Sequence, residues 1–290
     1  MERYDIAVIG TGPAGLEAAI TAKVRNKNIL LLGSESLSVK VEKAHTIKNY
    51  LGLPEISGED MQKAFQRHLK DMEIAITKDR VNTVYAMGDY FAIQGHKERY
   101  EASSVILSCG MSVSKPFPGE LENLGKSVSY CATCDAALYK GKSTIVIGYS
   151  KEEEKEAEFL VEVAEQVYYL PMYQDEVKID NRIEVLSTRK PVAVERNSQK
   201  IRLLLEDGDL DADGLFILRE SVAPSQLVPG LAIENNQVVV DRSMRTNIDG
   251  LFACGDITGA PYQYIKAAGE GNVAALSAIN YLTEKHRKIS

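Results

Sequence analysis

Apolar residues along the chain fall in blocks of strand length, separated by glycine-containing turns and by stretches with helical spacing. Tyr4-Asp5-Ile6-Ala7-Val8-Ile9 predicts a buried strand, followed at once by Gly10-Thr11-Gly12-Pro13-Ala14-Gly15. Residues 16–24 predict a helix in which Ala18, Ala19 and Ala22 permit close packing, and Asn28 to Leu32 predict a second strand. Gly58 to about Met72 predict a helix with Met61, Phe65 and Leu69 on its core face. Arg80 to Ile106 read as an antiparallel insertion, and the strand Ser104–Leu107 leads into Ser108-Cys109-Gly110. A second cycle follows: strand Ser143–Gly148, helix Glu152–Glu165 with Ala157, Leu160, Val161 and Ala164 at helical spacing, and strand Gln166–Leu170. Thr246 to Asp256 combine a turn, a short buried strand and Gly-Asp, and a helix from Ala267 to Leu282 closes the pattern. Strand and helix alternating in this way predict an α/β protein.

A length of 290 residues suggests two domains, at roughly 100–200 residues each. The longest aliphatic runs, such as Ile29–Leu32, are far shorter than a membrane helix, which needs roughly 20 apolar residues. The N-terminus enters a strand without the basic start and apolar stretch of a signal peptide, so no membrane association and a cytoplasmic location are expected. The net charge of −7 argues against nucleic acid. It is unevenly spread: residues 114–244 hold 15 Lys/Arg against 23 Asp/Glu, and the remainder holds 19 against 18.

The first motif is strand, G-x-G-x-x-G, helix, strand, acid. Gly10 allows the tight turn, Gly12 lets the backbone approach a pyrophosphate, and Gly15 lets helix pack on sheet. With Pro13 and Ala14, these glycines open a helix whose N-terminus offers free N–H groups and positive dipole to phosphates. Glu35, beside Ser34 and slightly late for the usual spacing, is the candidate ribose ligand. The motif points to dinucleotide binding.

The second motif is Cys131-Ala132-Thr133-Cys134-Asp135. Thiols at this spacing in a cytoplasmic protein are a redox pair or half of a zinc site. The remaining cysteines, Cys109 and Cys254, sit in segments assigned to the first domain, and His45, His68, His96 and His286 show no ligand spacing, so no metal is expected. Asp135 is a candidate acid/base for thiol–disulfide exchange and also a candidate helix cap.

Taken together, these motifs resemble the two-dinucleotide-binding-domain flavoproteins, and Val128-Ser129-Tyr130-Cys131-Ala132-Thr133-Cys134-Asp135 resembles the active-site run of the low-molecular-weight thioredoxin reductases. The resemblance implies two Rossmann-like three-layer domains. One is a discontinuous FAD domain, residues 1–113 and 244–290; the other is a degenerate NADPH-like domain carrying the cysteines, residues 114–243, with crossings at Ser114–Phe117 and Asp241–Thr246. It implies that Cys134 lies against the flavin, Cys131 attacks the partner's disulfide and Asp135 is the proton donor. It further implies FAD contacts from Cys109-Gly110, from Asn49, from Gly255-Asp256, whose aspartate holds the ribityl chain, and from Gln263-Tyr264-Ile265 at the pyrimidine edge. A homodimer is implied as well.

The departures from that family are specific. Its G-x-G-x-x-A reads Gly148-Tyr149-Ser150-Lys151-Glu152-Glu153 here, so side chains and carboxylates stand where a pyrophosphate should lie. Its H-R-R-x-x-x-R element corresponds to Leu170-Pro171-Met172-Tyr173-Gln174-Asp175-Glu176, which has no Arg or Lys. Its Gly-Gly-Gln run reads Ser38-Val39-Lys40. Bound NADPH is therefore not expected. The combination resembles the ferredoxin-dependent flavin thioredoxin reductases, which implies ferredoxin as electron donor and thioredoxin as acceptor, with the iron–sulfur cluster on the partner. The residues leave open another donor or a second flavin, with Tyr149, Tyr168, Tyr169 and Tyr173 either stacking on it or packing in the core. They also leave open an atypical NAD(P)H enzyme and a non-catalytic redox-sensing module.

Overall fold

The computed structural model describes residues 3–42, 44–110, 116–130, 132–197, 200–219 and 224–289, with the side chains of Val39, Thr133, Cys134, Glu152, Ser225, Gln226, His286, Lys288 and Ile289 outside that description. The chain forms two compact units, Met1–Met111 with Ala223–Ser290 and Ser112–Val222. The first crossing thus falls close to the expected 113/114, where residues 111–115 are outside the described ones. The second falls at 222/223 rather than 243/244. The reason is local bonding: the Ala232 amide donates to Asn247 Oδ1 at 2.8 Å, and Asn247 Nδ2 donates to the Gly230 carbonyl at 2.9 Å. Residues 224–243 are therefore stitched to the strand that follows them.

The first unit opens with β1 (Arg3–Ile9), α1 (Pro13–Val24), β2 (Ile29–Leu32), the single turn α2 (Val39–Glu42) and α3 (Gly58–Asp71). Pro13 occupies the first turn of α1, where its missing N–H costs nothing. In α3, Ser57 caps the helix by accepting from the Asp60 amide at 3.1 Å, and Met61 and Leu69 are buried as their spacing predicts. Then come β3 (Ile76–Thr77), β4 (Val81–Ala86), β5 (Phe91–Gly95) and β6 (Arg99–Leu107). The sheet order is β3-β2-β1-β6-β5-β4. The predicted insertion is antiparallel only as far as Ala102; β6 also pairs parallel with β1 from Glu101 to Leu107.

The second unit runs α4 (Glu120–Asn123), β7 (Val128–Ser129), α5 (Ala132–Asp135), β8 (Ser143–Gly148), α6 (Glu154–Val161), β9 (Gln166–Pro171), β10 (Ile183–Val185), β11 (Pro191–Arg196), β12 (Ile201–Leu205), β13 (Gly208–Ala212) and β14 (Gly214–Leu218). Strands β10-β9-β8-β14-β7 form one parallel sheet, and β11-β12-β13 an antiparallel one. Helix α6 is shorter than predicted: Lys151–Glu153 form a tighter 3-10 turn before it, and it ends at Val161, with Glu162 as its C-cap. Asp213 ties this sheet together, its Oδ2 accepting from the Ser143 amide at 2.9 Å and hydroxyl at 2.8 Å. Those bonds, the backbone one first, hold its carboxyl below the usual range. A depressed folded-state pKa adds stability above the unfolded value of about 4 and loses it as pH falls through the folded one. Asp213→Asn is therefore expected to lower the unfolding temperature at pH 7 more than at pH 3; equal losses at both would contradict the assignment.

The chain returns to the first unit through α7 (Pro224–Leu227), the hairpin β15 (Ile233–Glu234) and β16 (Gln237–Val238), β17 (Leu251–Ala253), and α8 (Tyr264–Ile289), which extends beyond the predicted helix at both ends. Strand β17 pairs with the parallel half of β6. Helices α1 and α8 pack through alanines, Ala14, Ala18, Ala19 and Ala22 against Ala267, Ala274, Ala275 and Ala278, all buried in one core. Among the described residues, no helix is long and apolar enough to cross a membrane.

Candidate active site

In the first unit, β1, β2, β6 and β17 lie parallel and end together, at Ile9, Leu32, Leu107 and Ala253. The expected flavin residues leave from those ends. Gly10 has φ +120°, a conformation that favours glycine, and a Cβ there would stand 2.4 Å from the Ser108 carbonyl oxygen. A Cβ on Gly15 would stand 1.9 Å from the Gly10 carbonyl oxygen and 2.5 Å from Ser108 Oγ. Gly12 differs, because a Cβ there meets nothing within 4 Å, and the same holds for Gly110. The two outer glycines close the turn against protein and the middle one faces open space at the N-terminus of α1. That space suits the pyrophosphate of a dinucleotide. Ser34 and Glu35 are exposed just past β2.

Four of the remaining candidates come together. Asn49 Nδ2 donates to Gln263 Oε1 at 2.6 Å, the Tyr264 hydroxyl donates to the Lys40 carbonyl at 3.1 Å, and Lys40 Nζ lies 3.6 Å from Asp256 Oδ2. Lys40, in the segment that departs from the family's Gly-Gly-Gln run, thus links Tyr264 to Asp256. Ile265 is partly exposed. Three contributors escaped sequence reading. Thr11 Oγ1 donates to the Leu37 carbonyl at 2.9 Å and ties the glycine turn to the loop after β2. Glu270 accepts from the Gly255 amide at 2.9 Å and pairs with Lys266 at 2.9 Å, fixing the Gly-Asp turn from α8. The only signal in the sequence is the i, i+4 spacing of that pair. Cys109 and Cys254 are free thiols. Burial pushes Cys109 up to about 11, and burial, Glu270 and Cys109 push Cys254 up as well, so both are protonated and unreactive at neutral pH.

In the second unit, Cys131 lies outside the described residues, and Cys134 is placed by its backbone in the single turn α5. That turn is held from two sides. The Ala132 amide donates to Glu156 Oε2 on α6 at 3.1 Å, and Ser129 Oγ on β7 donates to Asp135 Oδ2 at 2.6 Å. Asp135 is therefore bound to Ser129, and no side-chain cap from it is present in the 3-10 turn that follows.

The first glycine of the degenerate turn after β8 packs against the protein, as Gly10 does in the first unit. A Cβ on Gly148 would stand 2.2 Å from the Tyr169 hydroxyl. That hydroxyl lies 3.2 Å from the Tyr173 hydroxyl, which donates to Glu154 Oε1 at 2.7 Å. Burial first pushes the Tyr169 hydroxyl up to about 12, so it remains protonated. Sequence reading placed carboxylates where a pyrophosphate would lie. Glu153 and Glu154 are instead buried, with Glu154 turned onto Tyr173. Tyr169, one of the residues considered for flavin stacking, is fully buried in the core.

Comparison with known proteins fits this geometry. Residues 4–271 match the family described as pyridine nucleotide-disulphide oxidoreductase. The chain belongs to that family. It is 32% identical over 306 residues to a thioredoxin reductase of Helicobacter pylori, covering 96% of this chain and 98% of that protein. Two crystal structures of a ferredoxin-flavin thioredoxin reductase from Clostridium acetobutylicum are also similar. One has TM-score 0.92 at 50% identity, covering 98% of this chain and 99% of the other; the second has TM-score 0.86 at 49% identity, covering 99% of each. This family member is thus a thioredoxin-reductase-type flavoprotein oxidoreductase with the corresponding two-domain α/β fold.

Proposed function

We propose that this enzyme takes electrons from reduced ferredoxin, through FAD, to a Cys131–Cys134 disulfide and on to thioredoxin, without a bound pyridine nucleotide. The observation that carries this reading is the turn after β8, where Ser150 stands in place of the middle glycine and Glu153 and Glu154 are buried at the helix start, Glu154 accepting from Tyr173. The likeness to a ferredoxin-flavin thioredoxin reductase, at 49–50% identity, supports the choice of donor and acceptor.

The Gly10–Gly15 turn, Gly110 and the Gly255-Asp256 turn are the residues that would hold FAD, and Gly12 and Gly110 leave it room. FAD bound there supplies a centre that accepts single electrons and passes on pairs. The rest of the chemistry belongs to the chain. With the pair reduced, the Cys131 thiolate attacks one sulfur of the thioredoxin disulfide, and the other sulfur leaves as thiolate. Cys134 then attacks the Cys131 sulfur, which restores the Cys131–Cys134 disulfide and releases thioredoxin two electrons richer. Asp135, oriented by Ser129, takes the proton that the Cys131 thiol loses and passes it to the leaving thiolate. The active form is a cytoplasmic homodimer, as the resemblance implies.

The test is anaerobic spectroscopy of the holoenzyme. Reduced ferredoxin is expected to bleach the flavin band and support turnover of thioredoxin, whereas equal NADPH or NADH leaves the band intact over the same time. Rapid bleaching by NADPH would refute the reading.

A further inference from the structure

Besides the Ala132–Glu156 and Ser129–Asp135 bonds, the segment before Cys131 has little strand pairing to hold it. Strand β7 is only two residues long and sits at the sheet edge, paired to β14 through Val128 with Leu215 and Ser129 with Phe216. Tyr130 follows immediately, and its side chain is anchored in a buried ionic cage. The Tyr130 hydroxyl donates to Glu120 Oε1 at 2.7 Å. Arg219 grips the same carboxylate bidentately, Nη1 to Oε1 at 2.5 Å and Nη2 to Oε2 at 2.7 Å. The Phe117 amide donates to Oε2 at 2.8 Å. Glu120 is fully buried and Arg219 nearly so. The guanidinium carbon lies 5.6 Å from the Phe117 ring centre, 6.0 Å from Tyr130 and 5.3 Å from Tyr149.

The cage stands at a significant place. Tyr130, Tyr149 and Arg219 each directly follow the last residue of a parallel strand, β7, β8 and β14 respectively. Ligands of such sheets bind outside those carboxyl ends. Here the end of the sheet carries an internal ion pair in place of a ligand's phosphates. Two buried charges are costly unless geometry and hydrogen bonding are good, so an ion pair of this kind is weak evidence of added stability. Both Glu120 oxygens accept two bonds each, so the carboxylate has one orientation available.

We propose that Glu120 and Arg219 are positioning residues for the redox pair, clamping Tyr130 and so fixing the backbone that enters Cys131. This rests on the reading that Cys131 and Cys134 are that pair. A disulfide is favoured by the effective concentration of one thiol at the other, and that concentration falls when one thiol's backbone is free to move. Loosening the clamp therefore shifts the pair toward the dithiol.

The experiment equilibrates the holoenzyme in dithiothreitol redox buffers, traps thiols by alkylation and reads the disulfide fraction by mass. Tyr130→Phe keeps the ring and removes the bond to Glu120; Arg219→Lys keeps the charge and removes the bidentate grip. Each is expected to shift the Cys131–Cys134 equilibrium about tenfold toward the dithiol, about 30 mV for a two-electron couple. Each should also lower kcat for thioredoxin reduction with KM unchanged. Ser143→Ala, which removes a hydroxyl bond to Asp213 in the same unit, is expected to lower the unfolding temperature and leave that equilibrium at the wild-type value. The clamp is overturned if Tyr130→Phe and Arg219→Lys lower only the unfolding temperature, or if Ser143→Ala moves the equilibrium as far as they do. A wild-type enzyme whose Cys131 and Cys134 do not cycle in these buffers overturns the functional reading itself.

Discussion

Replacing Cys134 by serine is expected to bring ferredoxin-driven thioredoxin reduction to background, a loss on the order of 10³-fold or more. A serine hydroxyl forms no disulfide, so the variant has no group that can store an electron pair and hand it to a second protein. Cys131→Ser should be equally inactive, because each cysteine is needed in the same exchange. In both variants the flavin band should still bleach with reduced ferredoxin, since the residues assigned to the cofactor lie in the other compact unit. Cys109→Ser supplies the contrast. Its thiol is pushed up to about 11 by burial and takes no part in exchange, so turnover per bound flavin should stay close to wild type even where the change at this candidate flavin contact weakens FAD binding. The assay is insulin reduction coupled to thioredoxin, with ferredoxin kept reduced. Turnover surviving in Cys134→Ser would show that the pair is not the redox centre.

The second large effect concerns the glycine turn. Gly15→Ala puts a methyl 1.9 Å from the Gly10 carbonyl and 2.5 Å from Ser108 Oγ. One of these atoms is backbone, and Ser108 is itself fastened to the Ile9 carbonyl at 2.9 Å, so neither side yields cheaply. Overpacking of this kind costs about 1–3 kcal/mol, occasionally more, and the turn must also lose the shape that would receive a dinucleotide. Gly15→Ala is expected to unfold at a clearly lower temperature and to purify without flavin colour. Gly12→Ala separates the two effects. Nothing lies within 4 Å of the new methyl, and the backbone there has φ −77°, which alanine accepts. The fold should survive intact while flavin affinity drops, because the methyl occupies the space open to a pyrophosphate. Calorimetry and flavin titration check both. A Gly15→Ala protein as stable and as yellow as wild type would remove the close approach from the account.

The elements with a strong period were legible from the sequence. Alternation of apolar runs and turns marks β1, β2, β8 and β9, and apolar spacing marks α3, because burial of one face is what each pattern encodes. The Gly10–Gly15 turn was legible for a related reason: it depends on local chain geometry, and Gly10 and Gly15 leave no room for a Cβ. The chain pattern failed where partners are distant in sequence. The second crossing was placed too late because Asn247 bonds back to Gly230 and Ala232, which periodicity does not reveal. The start of α6 was read as carboxylates standing where a pyrophosphate would lie, because adjacency says nothing of Tyr173, which donates to Glu154.

By itself the sequence determined that the protein is an α/β chain with a G-x-G-x-x-G turn at Gly10–Gly15, a Cys131/Cys134 pair and a second turn that keeps only Gly148 of such a motif. Only the tertiary structure decided what packs around that second turn. Tyr169 and Tyr173 on one side, and Glu120 with Arg219 on the other, meet residues between 4 and 99 positions away in the chain. A buried charge or hydroxyl must find its partner wherever the fold brings one. Which partner that is depends on strand order and packing, and neither is written in the local pattern of residues.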